Sequence, residues 1–241
     1  MANLNLVGNK ILVTGGAGFI GSELVHQLSE AGATVIVVDN LVNGKRENLN
    51  EIIGNQVSLK VSDVRNSSVM TELLDGVDII YHLACLGVRH SIHDPEENHE
   101  VNASATLNLL KLARKAKVKR FVYVSSSEVY GTARNTPMTE LHPTIPHTVY
   151  GGSKLAGECY TRAFFDTYNY GTVIVRPFNS FGPRSHHEGD SGEVIPKFML
   201  RALADEPMII FGDGSQTRDF TYVSDTARGI LLAGLSEKAL G

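Results

Sequence analysis

The chain has 241 residues, of which 42% are apolar and 20% charged. That suffices for a packed domain with an added lobe and excludes a disordered chain. Its 22 basic and 26 acidic side chains leave a formal charge of -4, so nothing in the balance marks a nucleic-acid or membrane-surface partner.

No apolar run is long enough to span a bilayer, and the opening MANLNLVGNK lacks the apolar core of a secretion signal. A cytoplasmic location is the expectation.

In chain order, KILVT (Lys10 to Thr14) reads as a buried strand. Phe19 to Ala31 reads as a helix, with Ile20, Leu24, Leu28 and Ala31 on one face. TVIVVD (Thr34 to Asp39) is a second strand, followed by Val57 to Val61, Val77 to His82 and Arg120 to Ser125. Helical patterns lie between them, including Val101 to Lys117 with Ala105, Leu109, Leu112 and Ala116 on one face. A helix around Ser153 to Tyr168 precedes a strand at Thr172 to Val175. Val- and Ile-rich strands separated by helices predict an α/β fold with a doubly wound parallel sheet over residues 1–175.

From 176 to 241 the texture changes, and a smaller lobe is expected, interleaved with the first domain. Glycine, proline and histidine crowd Pro177 to Pro196. The periodicity then predicts a helix over Lys197 to Ala204, a short strand over Met208 to Phe211 and a last helix over Asp225 to Leu235.

Cys85 and Cys159 lie in apolar or helical surroundings without a CxxC spacing and read as buried thiols. The nine histidines form no HExxH arrangement, so no metal site is expected.

The chemistry begins at TGGAGFIGS. Gly15, Gly18 and Gly21 stand between a strand and a helix, where bare backbone can approach a pyrophosphate and the helix N-terminus favours its charge. Asp39 ends the second strand, where a carboxylate can accept hydrogen bonds from an adenosine ribose and would repel a 2'-phosphate, favouring NAD over NADP. Lys45 and Arg46 nearby read as solvated helix charge. Asp63, after the third strand, could take an adenine amino group or cap the next helix.

Tyr150 and Lys154 are four residues apart at a helix start, on one face. An ammonium beside the phenol would favour the phenolate, so Tyr150 could take a proton from a substrate hydroxyl. Ser125, Ser126 and Ser127 end the fifth strand, where doubly wound sheets place their ligands. Glu128 follows as either a second acid/base group or a solvated turn residue.

Together these segments resemble the extended short-chain dehydrogenase/reductase superfamily, in its sugar-nucleotide epimerase/dehydratase branch, and UDP-glucose 4-epimerases in particular. The carriers are TGGAGFIGS, Asp39-Asn40, Asp63-Val64, His82 to Cys85, Asn102, SSSEVYG, YGGSK, RPFNSFGPR and DGSQTRDFTYVSD. The resemblance implies a Rossmann fold with bound NAD, contacted by Gly15, Gly18, Phe19, Ile20, Gly21, Asp39, Asn40, Asp63, Val64, Leu83, Ala84, Asn102, Ser125, Tyr150, Lys154 and Pro177. It implies that Ser126 touches the sugar hydroxyl to be oxidised and that Asn179 and Arg218 hold the substrate diphosphate. Arg89 and Ser91 could reach the sugar or belong to a surface loop.

The implied chemistry is oxidation at a sugar carbon, usually C4, with Ser126, Tyr150, Lys154 and Glu128 at the reacting end. A nucleotide-sugar 4-epimerase ranks first, with a UDP-sugar favoured. Ser126-Ser127-Glu128 is similar to the Thr-Ser-Glu or Ser-Ser-Glu segment of UDP-glucuronate decarboxylases and some other dehydratases, which rank second. Ser127 stands where dTDP-glucose dehydratases resemble one another in carrying an aspartate, which argues against that dehydratase. A non-catalytic NAD-binding protein or an inactive fragment is the remaining alternative, disfavoured by the presence of Tyr150, Lys154 and Ser126. The family also implies a homodimer through the helices flanking the fifth strand. Its members usually continue beyond the point where this sequence stops, so the substrate lobe is expected to be short or truncated.

Overall fold

The computed structural model describes residues 4–54, 56–188 and 192–241. Six parallel strands form one sheet: β1 (Lys10–Thr14), β2 (Thr34–Asp39), β3 (Val57–Val61), β4 (Ile79–His82), β5 (Arg120–Val124) and β6 (Thr172–Val175). Their order is β3-β2-β1-β4-β5-β6, so the chain reverses direction across the sheet between β1 and β4. The carboxyl ends of these two strands flank a crevice of the kind in which open α/β sheets bind ligands.

Side chains alternate across the sheet. Ile11 and Val13 enter one core with Leu24 and Leu28 of α1 (Phe19–Glu30); Leu12 enters the other with Ile80, Phe121 and Tyr123. The second core is closed by α2 (Ser67–Leu73), α5 (Ala105–Lys115) and α6 (Val149–Tyr168).

Two short helices, α3 (Val88–His93) and α4 (Pro95–His99), follow β4. Asp94 caps α4 by accepting from the Glu97 amide at 2.8 Å, and a π turn at Glu100–Ser104 leads into α5. The helix expected from Val101 therefore has an earlier start and a local widening. Its buried face is Ala105, Thr106, Leu109, Leu110 and Ala113, while Ala116 is exposed at the C-cap.

After β6 come β7 (Asn179–Phe181), α7 (Val194–Leu203), β8 (Phe220–Tyr222) and α8 (Val223–Leu235). β7 and β8 pair in parallel as a separate two-stranded sheet that the sequence reading missed. The strand expected over Met208 to Phe211 does not form: these side chains are 52–84% exposed and the segment joins neither sheet. An apolar run becomes a strand only when another backbone edge pairs with it.

Helix α8 returns to the main sheet, placing Ala227, Ile230 and Leu231 in the same core as α1, and the Tyr81 hydroxyl donates to the Leu231 carbonyl at 3.1 Å. The thiols also depart from expectation. Cys159 is exposed on the outer side of α6, and Cys85 is half-buried at the cleft. Among the described residues no helix is long and apolar enough to cross a membrane.

Candidate active site

The glycine loop is fixed by contacts that leave no room for side chains. Gly15 has φ +70°, and its amide donates to the Val38 carbonyl at 2.8 Å. A Cβ on Gly15 would lie 2.6 Å from the Ala84 nitrogen, and one on Gly21 only 2.1 Å from the Gly15 oxygen. Within α1 the Ser22 amide donates to the Gly18 carbonyl at 3.0 Å, so the preceding amides of Phe19, Ile20 and Gly21 have no intrahelical acceptor. All three residues line a cleft of about 890 Å³, together with Gly15 and Gly18.

Asp39, 7% exposed, braces this loop by accepting from the Ala17 amide at 3.0 Å and the Leu41 amide at 2.9 Å. Asn40, Val64, Leu83 and Ala84 line the same cleft. Asp63 also lines it, but both its oxygens are held by Arg65, at 2.8–3.0 Å. That guanidinium keeps the Asp63 carboxyl below its ordinary range. Arg65 reaches on to Glu97 and Glu100, each at 3.1 Å, and so ties the β3 end to α4 and the π turn. Lys45 is not simply solvated charge; it pairs with Glu188 at 2.9 Å.

At the other end, Ser125 is buried at the cleft and its hydroxyl has no partner among the described residues. Ser126 caps the 3-10 turn Ser127–Tyr130 by accepting from the Glu128 amide at 3.2 Å, and it lines the cleft with Tyr150. Thr148 caps α6 through the Gly151 amide at 2.9 Å, setting where the helix begins and hence where Tyr150 and Lys154 point. The Lys154 ammonium, 2% exposed, donates to the Val124 carbonyl at 2.6 Å and lies 4.9 Å over the Tyr123 ring.

Burial pushes the Tyr150 phenol above its ordinary range; Cys85 and Glu128 push the same way, and Ser126 opposes them. The Lys154 ammonium is directed to the Val124 carbonyl, and burial pushes its own pKa down.

Pro177, Asn179 and Arg89 line the cleft, with Asn179 also donating to the Asp219 carbonyl at 3.3 Å. Three expected contacts lie elsewhere. Asn102 is buried behind the wall: its amide group bonds the Leu86 backbone in both directions at 2.9 Å and donates to Ser153 at 3.0 Å, so it positions that wall against α6. Ser91 is buried and donates to the Val88 carbonyl at 2.6 Å. Arg218 is exposed, donates to its neighbour Thr217 and is not part of the cleft lining. Conversely, Cys85, Phe178 and Glu193 line the cleft and were not singled out as site residues. HLAC placed Cys85 directly after a strand end, which was the available signal; Glu193 had none in its loop-rich surroundings.

A family model described as the NAD dependent epimerase/dehydratase family matches residues 11–239. The chain belongs to this family. It is 38% identical over 226 residues to a candidate UDP-glucose 4-epimerase of Methanocaldococcus jannaschii, covering 92% of this chain and 72% of that one. It is equally identical over 230 residues to UDP-glucuronic acid decarboxylase 2 of Arabidopsis thaliana, with coverage of 93% and 50%. The chain thus spans about half the length of that relative. Among solved structures, UDP-N-acetylglucosamine 4-epimerase from Methanobrevibacter ruminantium M1 superposes with a TM-score of 0.91 at 34% identity, over 96% of this chain and 74% of that one.

The cofactor of this family is NAD, and the cleft fits it on its own chemistry. The glycine cradle would be filled by any Cβ, the helix N-terminus has amides without intrahelical acceptors, and Ser125 presents a buried hydroxyl that has no partner among the described residues.

Proposed function

We propose that this chain oxidises and re-reduces a hydroxyl-bearing carbon of a nucleotide-linked sugar, with a UDP-sugar 4-epimerase as the reading its geometry supports best. The observation that carries it is the joint placement of Ser126, Tyr150 and Lys154 at the end of β5, in the same cleft as the glycine cradle and Asp39. When bound, NAD supplies the hydride acceptor and, in its oxidised form, a positive charge. The chain's own residues do the rest. The α1 amides hold the pyrophosphate, with Asp39 taking the adenosine ribose hydroxyls. Lys154 takes the second ribose, Ser126 orients the sugar hydroxyl, and Tyr150 removes its proton. On the return step the protonated Tyr150 gives that proton back to the 4-keto oxygen. A phenol held high by burial suits that donor role, and its activation as a base requires added positive charge in the cleft. Residues 1–175 carry the cofactor and 176–241 contribute to the substrate side. The partners of this reading are the UDP-sugar and a second copy of the chain, joined through α5 and α6.

A second reading rests on Glu128. It borders the same side cavity as Tyr150 and raises the phenol's pKa, which puts a second proton-transfer group near the sugar, as a dehydratase or decarboxylase requires. Incubation of the NAD-loaded chain with a panel of UDP-, dTDP-, GDP- and CDP-sugars separates the two. An altered sugar at unchanged mass, with inverted C4 by NMR, is the expected result. Loss of water or of carbon dioxide would replace it with the lyase reading.

A further inference from the structure

Helix α6 crosses the ends of two neighbouring strands. Val124 of β5 and Val175 of β6 are register partners, so Arg176, the residue after Val175, stands about one strand spacing (~4.8 Å) from the end of β5. Lys154 docks on the β5 end, donating to the Val124 carbonyl at 2.6 Å. Glu158, one turn on and on the same buried face of α6, docks on the β6 end. Its two oxygens accept from Arg176 Nε at 2.9 Å and Nη2 at 2.6 Å, a bidentate pair with a buried carboxylate. The Arg176 guanidinium also lies 4.8 Å over the Tyr130 ring, which fixes it further.

A carboxylate four residues after a lysine stands at the spacing of a helical ion pair. Yet among the described residues Glu158 pairs within 4.0 Å with Arg176 alone, and Lys154 pairs with nothing. Glu158 still acts on the ammonium across the buried interval: burial pushes Lys154 down, and Cys85 and Glu158 oppose it. The other groups around Lys154 bring no free negative charge. His82, the last residue of β4, is held neutral by burial, and burial likewise keeps the Tyr123 and Tyr150 phenols protonated. Arg89, His90 and His93 of α3 line the same cleft, and Glu97 of α4 is engaged by Arg65 and His90. Asn98 and Asn102 meet α6 at Ser153 and do not titrate, and Glu128 acts on Tyr150.

We propose that Arg176 and Glu158 form a clamp that positions Lys154: Arg176 keeps the Glu158 carboxylate at the end of β6, where its charge sustains the buried ammonium without capturing it. Lys154 thereby keeps its place at the end of β5, facing the cleft. Neither Glu158 nor Arg176 lines the cleft, so both are positioning residues that act through Lys154. A buried ion pair gives little net stability over apolar side chains of similar size, so packing alone does not account for this one. The inference rests on the reading in which Lys154 holds the second ribose of NAD, and it deepens that reading.

The test is the titration of Lys154, followed by the NMR signal of its Cε and assigned by the loss of that signal in Lys154→Arg. It is run on the wild type, Glu158→Gln, Arg176→Gln and the double variant Glu158→Gln/Arg176→Gln, with thermal melting to check that each folds. Glu158→Gln is expected to lower the Lys154 midpoint by about one pH unit, because the sustaining carboxylate is gone. Arg176→Gln is expected to raise it by about as much and to weaken NAD about 10-fold by calorimetry, because the released Glu158 draws the ammonium away from the cleft. The double variant leaves neither member of the pair charged, so it carries the test if a single variant fails to fold; it is expected to titrate lower, like Glu158→Gln. A merely structural pair would not give the two single variants opposite signs. Shifts of the same sign in both, a rise in the double variant, or a midpoint that no folded variant moves overturns the proposal. Absence of NAD binding by the wild type removes the cofactor reading itself, and the Lys154 titration still decides the clamp.

Discussion

Helices α1 and α7 are both amphipathic in sequence, yet they meet opposite fates. α1 buries Leu24, Val25 and Leu28 against the sheet and α8, whereas no residue of α7 is buried. Val194, Met199, Leu200 and Leu203 of α7 are 48–83% exposed. An apolar stripe declares a face but not the surface that covers it. The cleft therefore has one wall built on a close-packed sheet and another built on a loosely packed lobe. Groups that need fixed geometry, namely the glycine cradle, Ser126, Tyr150 and Lys154, lie on the packed wall; Asn179 and Glu193 lie on the other.

The sharpest way to break this division is at Tyr150. Tyr150→Phe keeps the ring and its packing but removes the proton-transfer group. It is expected to cut turnover by at least ~10³-fold while NAD binding, read by fluorescence or calorimetry, stays within about 3-fold. Asn179→Ala on the lobe wall is expected to cost no more than about 10-fold, since the amide there positions and carries no proton. Comparable losses at the two residues would show that the walls do not differ in this way.

What the sequence made legible follows the same division. Each strand of the sheet is legible within two residues of its observed bounds; the central ones mark themselves because a buried parallel strand needs Val and Ile on both faces, and the edge strand β3 by the alternation of VSLKV. The glycine spacing and the Tyr150–Lys154 pair were equally plain, since close backbone approach and shared helical faces are local properties. Partners were not local. Asn102 carries a family motif, but the π turn aims it at Leu86 and Ser153 rather than into the cleft. The Tyr150 environment depends on Cys85, remote in sequence, and on a Lys154 ammonium engaged by Val124. Met208 to Phe211 reads as a strand only if something pairs with it.

The packed half also makes a prediction about pH. His82 lies 1% exposed between the Thr14 hydroxyl at 2.6 Å and the Thr106 hydroxyl at 2.9 Å. Thr106 already donates to the Asn102 carbonyl, so it accepts from His82 Nε2–H, and His82 Nδ1 accepts from Thr14. Burial pushes this imidazole down to about 3. Between that value and the unfolded range near 6.5, the unfolded chain binds a proton that the folded chain does not. The His82 contribution to stability is therefore whole above about pH 6.5 and falls by roughly 1.4 kcal/mol per pH unit as the pH drops toward 3. Urea unfolding from pH 7.5 down to 4.5 should show this slope in the wild type and a shallower one in His82→Gln. Parallel slopes would remove His82 from the account.

The smallest expected effect tests the lobe directly. Phe211 is the largest side chain of the unpaired apolar segment and is 84% exposed. A buried large apolar residue loses about 3–5 kcal/mol on truncation because atoms leave the core and a cavity remains. At Phe211 there is almost no transfer to lose and no cavity to leave, so Phe211→Ser is expected to change the unfolding free energy of this chain by under ~0.5 kcal/mol. The same change would remove an exposed ring from the MIIF run and should lower the chain's tendency to self-associate, read by light scattering. A destabilisation of about 2 kcal/mol or more in monomeric chain would mean that Phe211 is packed in solution and that the lobe is as firmly built as the sheet.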